Sequence, residues 1–142
     1  MRLGRDREAR AAFGELLQRD PRAAGTWYNL GLLEIERRHA GAAADALRHA
    51  VDADPSYGDA WHALGAALVG HDRPAAIDAW RHAERLRPRD YDLLFNLGMV
   101  LAESPQRSEA VPYLERFVRE APRDRYARDL ARVQATLANI RR

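Results

Sequence analysis

Apolar positions recur along the chain at helical spacing, in short runs broken by polar turns. In "TWYNLGLLEIERR" they fall at Trp27, Leu30 and Leu33 or Glu34, and in "AAADALRHAVDA" at Ala43, Leu47, Ala50 and Val51. Both runs predict amphipathic helices. Pro55 then closes the second, because proline cannot continue a helix and pushes the residue before it out of helical geometry. The same punctuation returns in "WHALGAALVGHDRPAAIDAWRHAERLRP" and in "LFNLGMVLAESPQRSEAVPYLERFVREAP". Gly31, Gly65 and Gly98 step by 34 and 33, and Pro21, Pro55, Pro88 and Pro122 by 34, 33 and 34. Ala43, Ala76 and Ala110 keep the same beat, and the residue missing from the middle copy falls in "VGHDRP". Each copy is therefore an antiparallel helix pair. Small Gly31 and Ala43 are expected where the two helices approach closely, with Trp27 and Leu47 filling the wider gap beside them.

A Trp-x-x-Leu-Gly helix, an Ala-x-x-x-Leu/aromatic helix and a closing Pro at this period closely resemble the tetratricopeptide repeat. Residues 24–57 carry Trp27, Leu30, Gly31, Ala43, Leu47, Ala50 and Pro55. Residues 58–90 carry Trp61, Leu64, Gly65, Ala76, Trp80, Ala83 and Pro88. Residues 91–124 carry Leu94, Leu97, Gly98, Ala110, Leu114, Phe117 and Pro122, with Leu94 where the other two have Trp. Residues 1–23 read as the second helix of a partial repeat, with Ala9, Phe13, Leu16 and Pro21 on the same beat. Residues 125–142 space Tyr126, Leu130, Val133, Leu137 and Ile140 along one face of a capping helix, which a solenoid needs at its end. The resemblance implies an all-α, right-handed superhelical solenoid of antiparallel helix pairs, about eight helices in all. Pro112 lies inside "SEAVPYLERF" and predicts a delayed helix start or a solvent-facing bend.

Composition adds little that the pattern does not already say. The chain has 142 residues, enough for one domain with a real core, and no cysteine for disulfides or thiolate metal sites. No apolar run spans a bilayer and "MRLGRDREAR" is too charged for a signal peptide, so no membrane insertion and a cytoplasmic setting are expected. All 23 basic residues are Arg, and the net charge is +2. Arg grips anions in a two-pronged way, but the codon usage of a GC-rich genome explains the bias as well. The 21 acids interleave with the arginines as on a solvated helical surface.

Candidate chemistry is sparse. The hydroxyls Thr26, Ser56, Ser104 and Ser108 fall at turns or helix starts, where capping accounts for them, and no Gly-rich phosphate cradle is present. His49 and His82 hold the same place in consecutive repeats, but no His pair has the i, i+4 spacing of two ligands on one helix face. The reading is no catalytic set, no metal and no cofactor. Arg81, Arg85, Arg87 and Arg89 sit at a helix end, where they complement its dipole, and acids interrupt any continuous basic face, so no nucleic acid is expected.

What remains is the concave groove that the resemblance implies, lined by the first helices of successive repeats. Its residues here would be Tyr28, Leu32, Ile35 and Glu36, then Asp59, His62, Ala66 and Val69, then Asp92, Phe95, Met99 and Glu103, with Asp129 and Val133 from the last helix. One subclass of the family clamps a C-terminal carboxylate with Lys, Asn and Arg; the corresponding places hold Tyr28, Leu32, His62, Ala63, Asp92 and Phe95, which do not suit it. An apolar, aromatic floor with an acidic rim suits a hydrophobic peptide or helix of a protein partner, flanked by basic residues. The expectation is a non-enzymatic protein-interaction module. Self-assembly as a homo-oligomer through the N-terminal helix, where Phe13 and Leu17 would lie partly bare, is the alternative. A targeting arm of a larger enzyme is the third reading.

Overall fold

The computed structural model describes residues 2–142, with side chains from Gly4 onward. Among these residues are eight α-helices, one short 3-10 helix and no strand, an all-α helical repeat fold. The helices are α1 (Arg2–Arg19), α2 (Ala24–Glu36), α3 (Ala40–Ala53), α4 (Gly58–Leu68), α5 (Arg73–Leu86), α6 (Tyr91–Ala102), α7 (Ala110–Glu120) and α8 (Ala127–Ile140). They form two compact units, one ending at Leu86 and one running from Arg87 to the last residue.

In the first unit α2 is antiparallel to α3 and α4 to α5, because partners descend on one helix as they ascend on the other. Trp27 meets His49 and Gly31 meets Leu47; Trp61 meets His82 and Gly65 meets Trp80. The core is built from Ala43, Leu47, Ala50, Ala60, Leu64, Ala76 and Ala79, all nearly inaccessible. The glycines explain why these pairs can close. A Cβ on Gly31 or Gly65 would fall within 3 Å of the Leu47 or Trp80 side chain. Each glycine is thus a seat for the large residue of the facing helix. The helices thus approach closely at Gly31 as expected, with Leu47 seated directly on the glycine.

Trp27 and Trp61 are half-buried rather than core residues. Each stacks on a histidine of the second helix, with centroids 4.1 Å apart for Trp27–His49 and 4.2 Å for Trp61–His82. Each indole N–H donates to a proline carbonyl six residues earlier, Pro21 and Pro55, at 2.8 Å. The Asp before each proline accepts the N–H two residues on, Arg22 for Asp20 and Ser56 for Asp54, at 3.1 Å. The Asp-Pro punctuation is therefore an Asx turn that aims a carbonyl at the tryptophan of the next helix.

The second unit repeats the pairing, with Phe95 near Phe117 and Gly98 seating Leu114. Leu94 replaces the tryptophan and is fully buried, with Leu93, Leu97, Leu101, Leu114, Phe117 and Val133 around the same core. Tyr126, Leu130, Val133 and Leu137 of the last segment are buried as their spacing predicts. The polypeptide handles Pro112 by starting late. A 3-10 turn at Arg107–Glu109 precedes α7, which places Pro112 in the first helical turn, where its missing N–H has no partner to lose. The serines do not cap. Asp72 and Asp90 cap α5 and α6, accepting from Ala75 and Leu93 N–H at 3.1 Å. Ser56 and Ser104 instead donate their hydroxyls to Asp54 and to the Leu101 carbonyl.

Candidate functional site

In the first unit, the expected binding residues divide by burial. Tyr28, Leu32 and Ile35 on α2 and Val69 after α4 are half-buried. Of these, Tyr28, Ile35 and Val69 pack on the core around Leu47 and Leu64, so each has one side committed to the fold and one at the surface. Tyr57 joins them unforeseen, its ring 5.0 Å from that of Tyr28. Burial, then the neighbouring Tyr28 and Asp54, hold the Tyr57 hydroxyl proton above the ordinary tyrosine range. Glu36, Asp59 and Ala66 are exposed, and His62 is half-buried with its carbonyl accepting Trp80 Nε1–H at 3.0 Å.

The second unit contains a more complete arrangement, made by α6 and α8. Its contacts ascend together on both helices, so the two run in the same direction. Exposed Asp92 lies 3.6 Å from the Arg125 guanidinium and bonds the Tyr126 hydroxyl. One turn on, half-buried Phe95 lies 5.8 Å from Phe117, and the Arg132 guanidinium stands 5.4 Å above its ring. Beyond it Met99, Ala102 and Glu103 line an open cleft of about 490 Å³ with Ala135, Thr136, Asn139 and Arg142. Burial and the Asp92 carboxylate raise the Tyr126 hydroxyl above its usual range.

One correction follows from this geometry. Val133 is fully buried and belongs to the core, not to a binding surface. Asp92 stays exposed, with the Arg125 guanidinium beside it. Arg125 and Arg132 escaped the sequence reading because α8 reads there as a mostly polar cap. The available signal was spacing: Arg128 and Arg132 lie four apart, on one face of the helix that Arg125 precedes.

A buried charge cluster in the first unit was also missed. Glu34, only 5% exposed, receives Arg10 Nε–H of α1 at 2.5 Å and lies 2.9 Å from His39 Nδ1. Burial alone would raise this carboxyl, but the hydrogen bonds from Arg10 and His39 outweigh it and hold the group below the usual carboxylate range. Asp6 and Arg37 form a second ion pair between the same helices. Elsewhere, His49 and His82 donate Nδ1–H to the carbonyls of Asp45 and Asp78, at 2.8 and 2.9 Å. Among the described residues no group of three or more His, Asp or Glu side chains is arranged around a metal site. No helix there is long and apolar enough to cross a membrane.

Helix pairs with glycine seats, repeated at one period, define a helical-repeat protein. A family model described as tetratricopeptide repeat matches residues 1–58 and 66–125, and the chain belongs to that family. No curated protein matches the chain. Among solved structures, MamA superimposes with a TM-score of 0.80 at 24% identity, over 94% of this chain and 74% of that one, a likeness of fold alone. YrrB, described as a TPR protein with an unusual peptide-binding site, gives 0.73 at 26% identity over 87% of this chain and 65% of its own. A mutant O-GlcNAc transferase from Thermobaculum terrenum gives 0.66 at 28% identity over 77% of this chain but only 22% of the enzyme.

Proposed function

We propose that the chain is a non-enzymatic interaction module that holds an apolar peptide or helix of a partner protein against its first helices. The observation that carries this reading is Phe95 and Met99, half-buried on α6 beside an open cleft, with apolar surface left to a ligand. Tyr28, Leu32, Ile35 and Val69 offer similar half-covered apolar surface in the first unit, where exposed Glu36 favours a basic flank. YrrB, with its peptide-binding site, supports the same reading by likeness.

The test is selection of a displayed library of random peptides on the immobilised protein, followed by affinities for the winners. Enriched peptides are expected to carry apolar anchors. Tyr28→Ala or Phe95→Ala is expected to cost about 1–2 kcal/mol or more of binding to the peptides that use that side chain, with helical content unchanged. Peptides that bind the Tyr28→Ala/Phe95→Ala double variant as well as the wild type would contradict the assignment.

Self-association through α1 is a second reading, favoured by Leu16, which is 48% exposed beside half-buried Phe13 and Leu17. Light scattering at high micromolar concentration decides it, since a persistent monomer excludes that role.

A further inference from the structure

In the second unit, no carboxylate among the described residues pairs with the Arg132 guanidinium. Asp92 is engaged by Arg125 and by the Tyr126 hydroxyl. Asp129 lies in the first turn of α8, where the helix N-terminus favours its negative charge. Arg132 itself is exposed, and among the described residues it makes no ion pair. What it does make is a cation–π contact, its guanidinium carbon 5.4 Å from the Phe95 ring centroid. A guanidinium held over a ring in this way keeps N–H edges available to an anion. Those edges form the planar fork that a carboxylate matches with two parallel hydrogen bonds. The aromatic anchor of this face is thus roofed by a preoriented cation.

Resting on the apolar-face reading above, we propose that Arg132, held by Phe95, receives a carboxylate of the bound segment, and that the partner is acidic next to its apolar anchor. This reverses, for the second unit, the basic flank expected from the sequence. The receptor belongs to the last helix and one aromatic residue of α6, and it uses none of the Lys or Asn side chains of a carboxylate clamp. Along α8, Thr136 and Asn139 line the cleft with Met99 and Glu103, and Arg132 stands one turn earlier over Phe95, so a segment leaving the cleft along α8 passes the guanidinium.

The experiment uses three fluorescein-labelled peptides with the same Leu, Leu and Phe anchors. The first has Glu at the intervening positions and an amidated C-terminus, the second Lys with an amidated C-terminus, and the third Gln with a free C-terminal carboxylate. Fluorescence anisotropy gives their affinities for the wild type, Arg132→Gln and Arg132→Lys, with circular dichroism confirming that the exposed substitutions leave the helices intact.

Arg132→Gln is expected to weaken the Glu peptide about tenfold at low salt and to leave the Lys peptide unchanged or tighter. Arg132→Lys restores only part of the loss, because an ammonium lacks the fork. The difference shrinks as salt rises, as it must for an exposed pair. A dependence on Arg132 seen only with the third peptide would assign the carboxylate to a chain terminus instead of a side chain. Equal losses for the Glu and Lys peptides, or none for any carboxylate-bearing peptide, would overturn the inference while leaving the apolar-face reading in place. Failure of all three peptides to bind the wild type would overturn both.

Discussion

Gly65 and Gly14 are both helical glycines, and the space around them separates their roles. At Gly65 a methyl group would strike the Trp80 indole, itself only 3% exposed, whereas nothing lies within 4 Å of the position a Cβ would take at Gly14. Gly65→Ala is therefore expected to destabilise by about 1–3 kcal/mol through overpacking. Gly14→Ala is expected to stabilise by about 0.4–1 kcal/mol through the unfolded state. Urea titration of the two variants checks both signs. Aromatic residues divide in the same way. Phe117→Ala removes a fully buried ring and should cost about 3–5 kcal/mol, while Trp27→Ala, half-buried over an exposed histidine, should cost clearly less. Equal costs would mean that Trp27 is part of the core after all. The repeat pattern marked Trp27 and Trp61 as structural but not as surface stacks. Their real constraint is an acceptor for the indole N–H, and spacing says nothing of which carbonyl supplies it.

At the scale of elements, helix positions and closures were legible, and charge pairing between them was not. Periodicity put either Leu33 or Glu34 on the inner face of α2; a buried glutamate needs partners, and Arg10 lies 24 residues away on another helix. His39 arrives through the end of α2. Arg38 takes a left-handed backbone, φ 61°, with Arg38 N–H bonded to the Ile35 carbonyl and His39 N–H to the Glu34 carbonyl. This hydrogen-bonded helix end normally favours glycine, and here it carries the imidazole back to the Glu34 carboxylate. The chain therefore ties α1 to the end of α2 by two charge contacts. The pH consequence follows from sign. Glu34 has its folded pKa depressed, so its contribution is present above the ordinary carboxylate value of about 4.3 and is lost as pH falls through the lower, folded value. Protection of the α1 amides, corrected for the intrinsic pH dependence of exchange, is expected to fall over that acid range before protection in α3–α5 does. Glu34→Gln should speed exchange in α1 at neutral pH and flatten its acid dependence. Uniform acceleration across all helices would contradict this, since it would place α1 in the same cooperative block as the core.

At the scale of the molecule, the repeat was readable because each copy spells the same contacts: a glycine seat, a large residue to fill it, and a proline to stop the second helix. Divergence inside a copy was the harder part. Residues 91–124 lose the tryptophan, and the position matching His49 and His82 holds Arg116, so this copy turns its inner face into a leucine core and places Phe95 beneath an arginine of α8. Which apolar side chains face a ligand depends on what the neighbouring helix covers, and Val133 and Phe95 separate only when α8 is in place. The central claim is that ligands lie on α2 and α4 in the first unit, with α3 and α5 supporting them, and on α6 with α8 in the second, with α7 supporting them. Hydrogen exchange of the full chain, with and without a peptide from the selection, tests it most directly. The account expects new protection in α2 and α4, or in α6 and α8, and none in α3, α5 or α7. Protection confined to α3, α5 or α7 would place the binding surface on the opposite faces and contradict it.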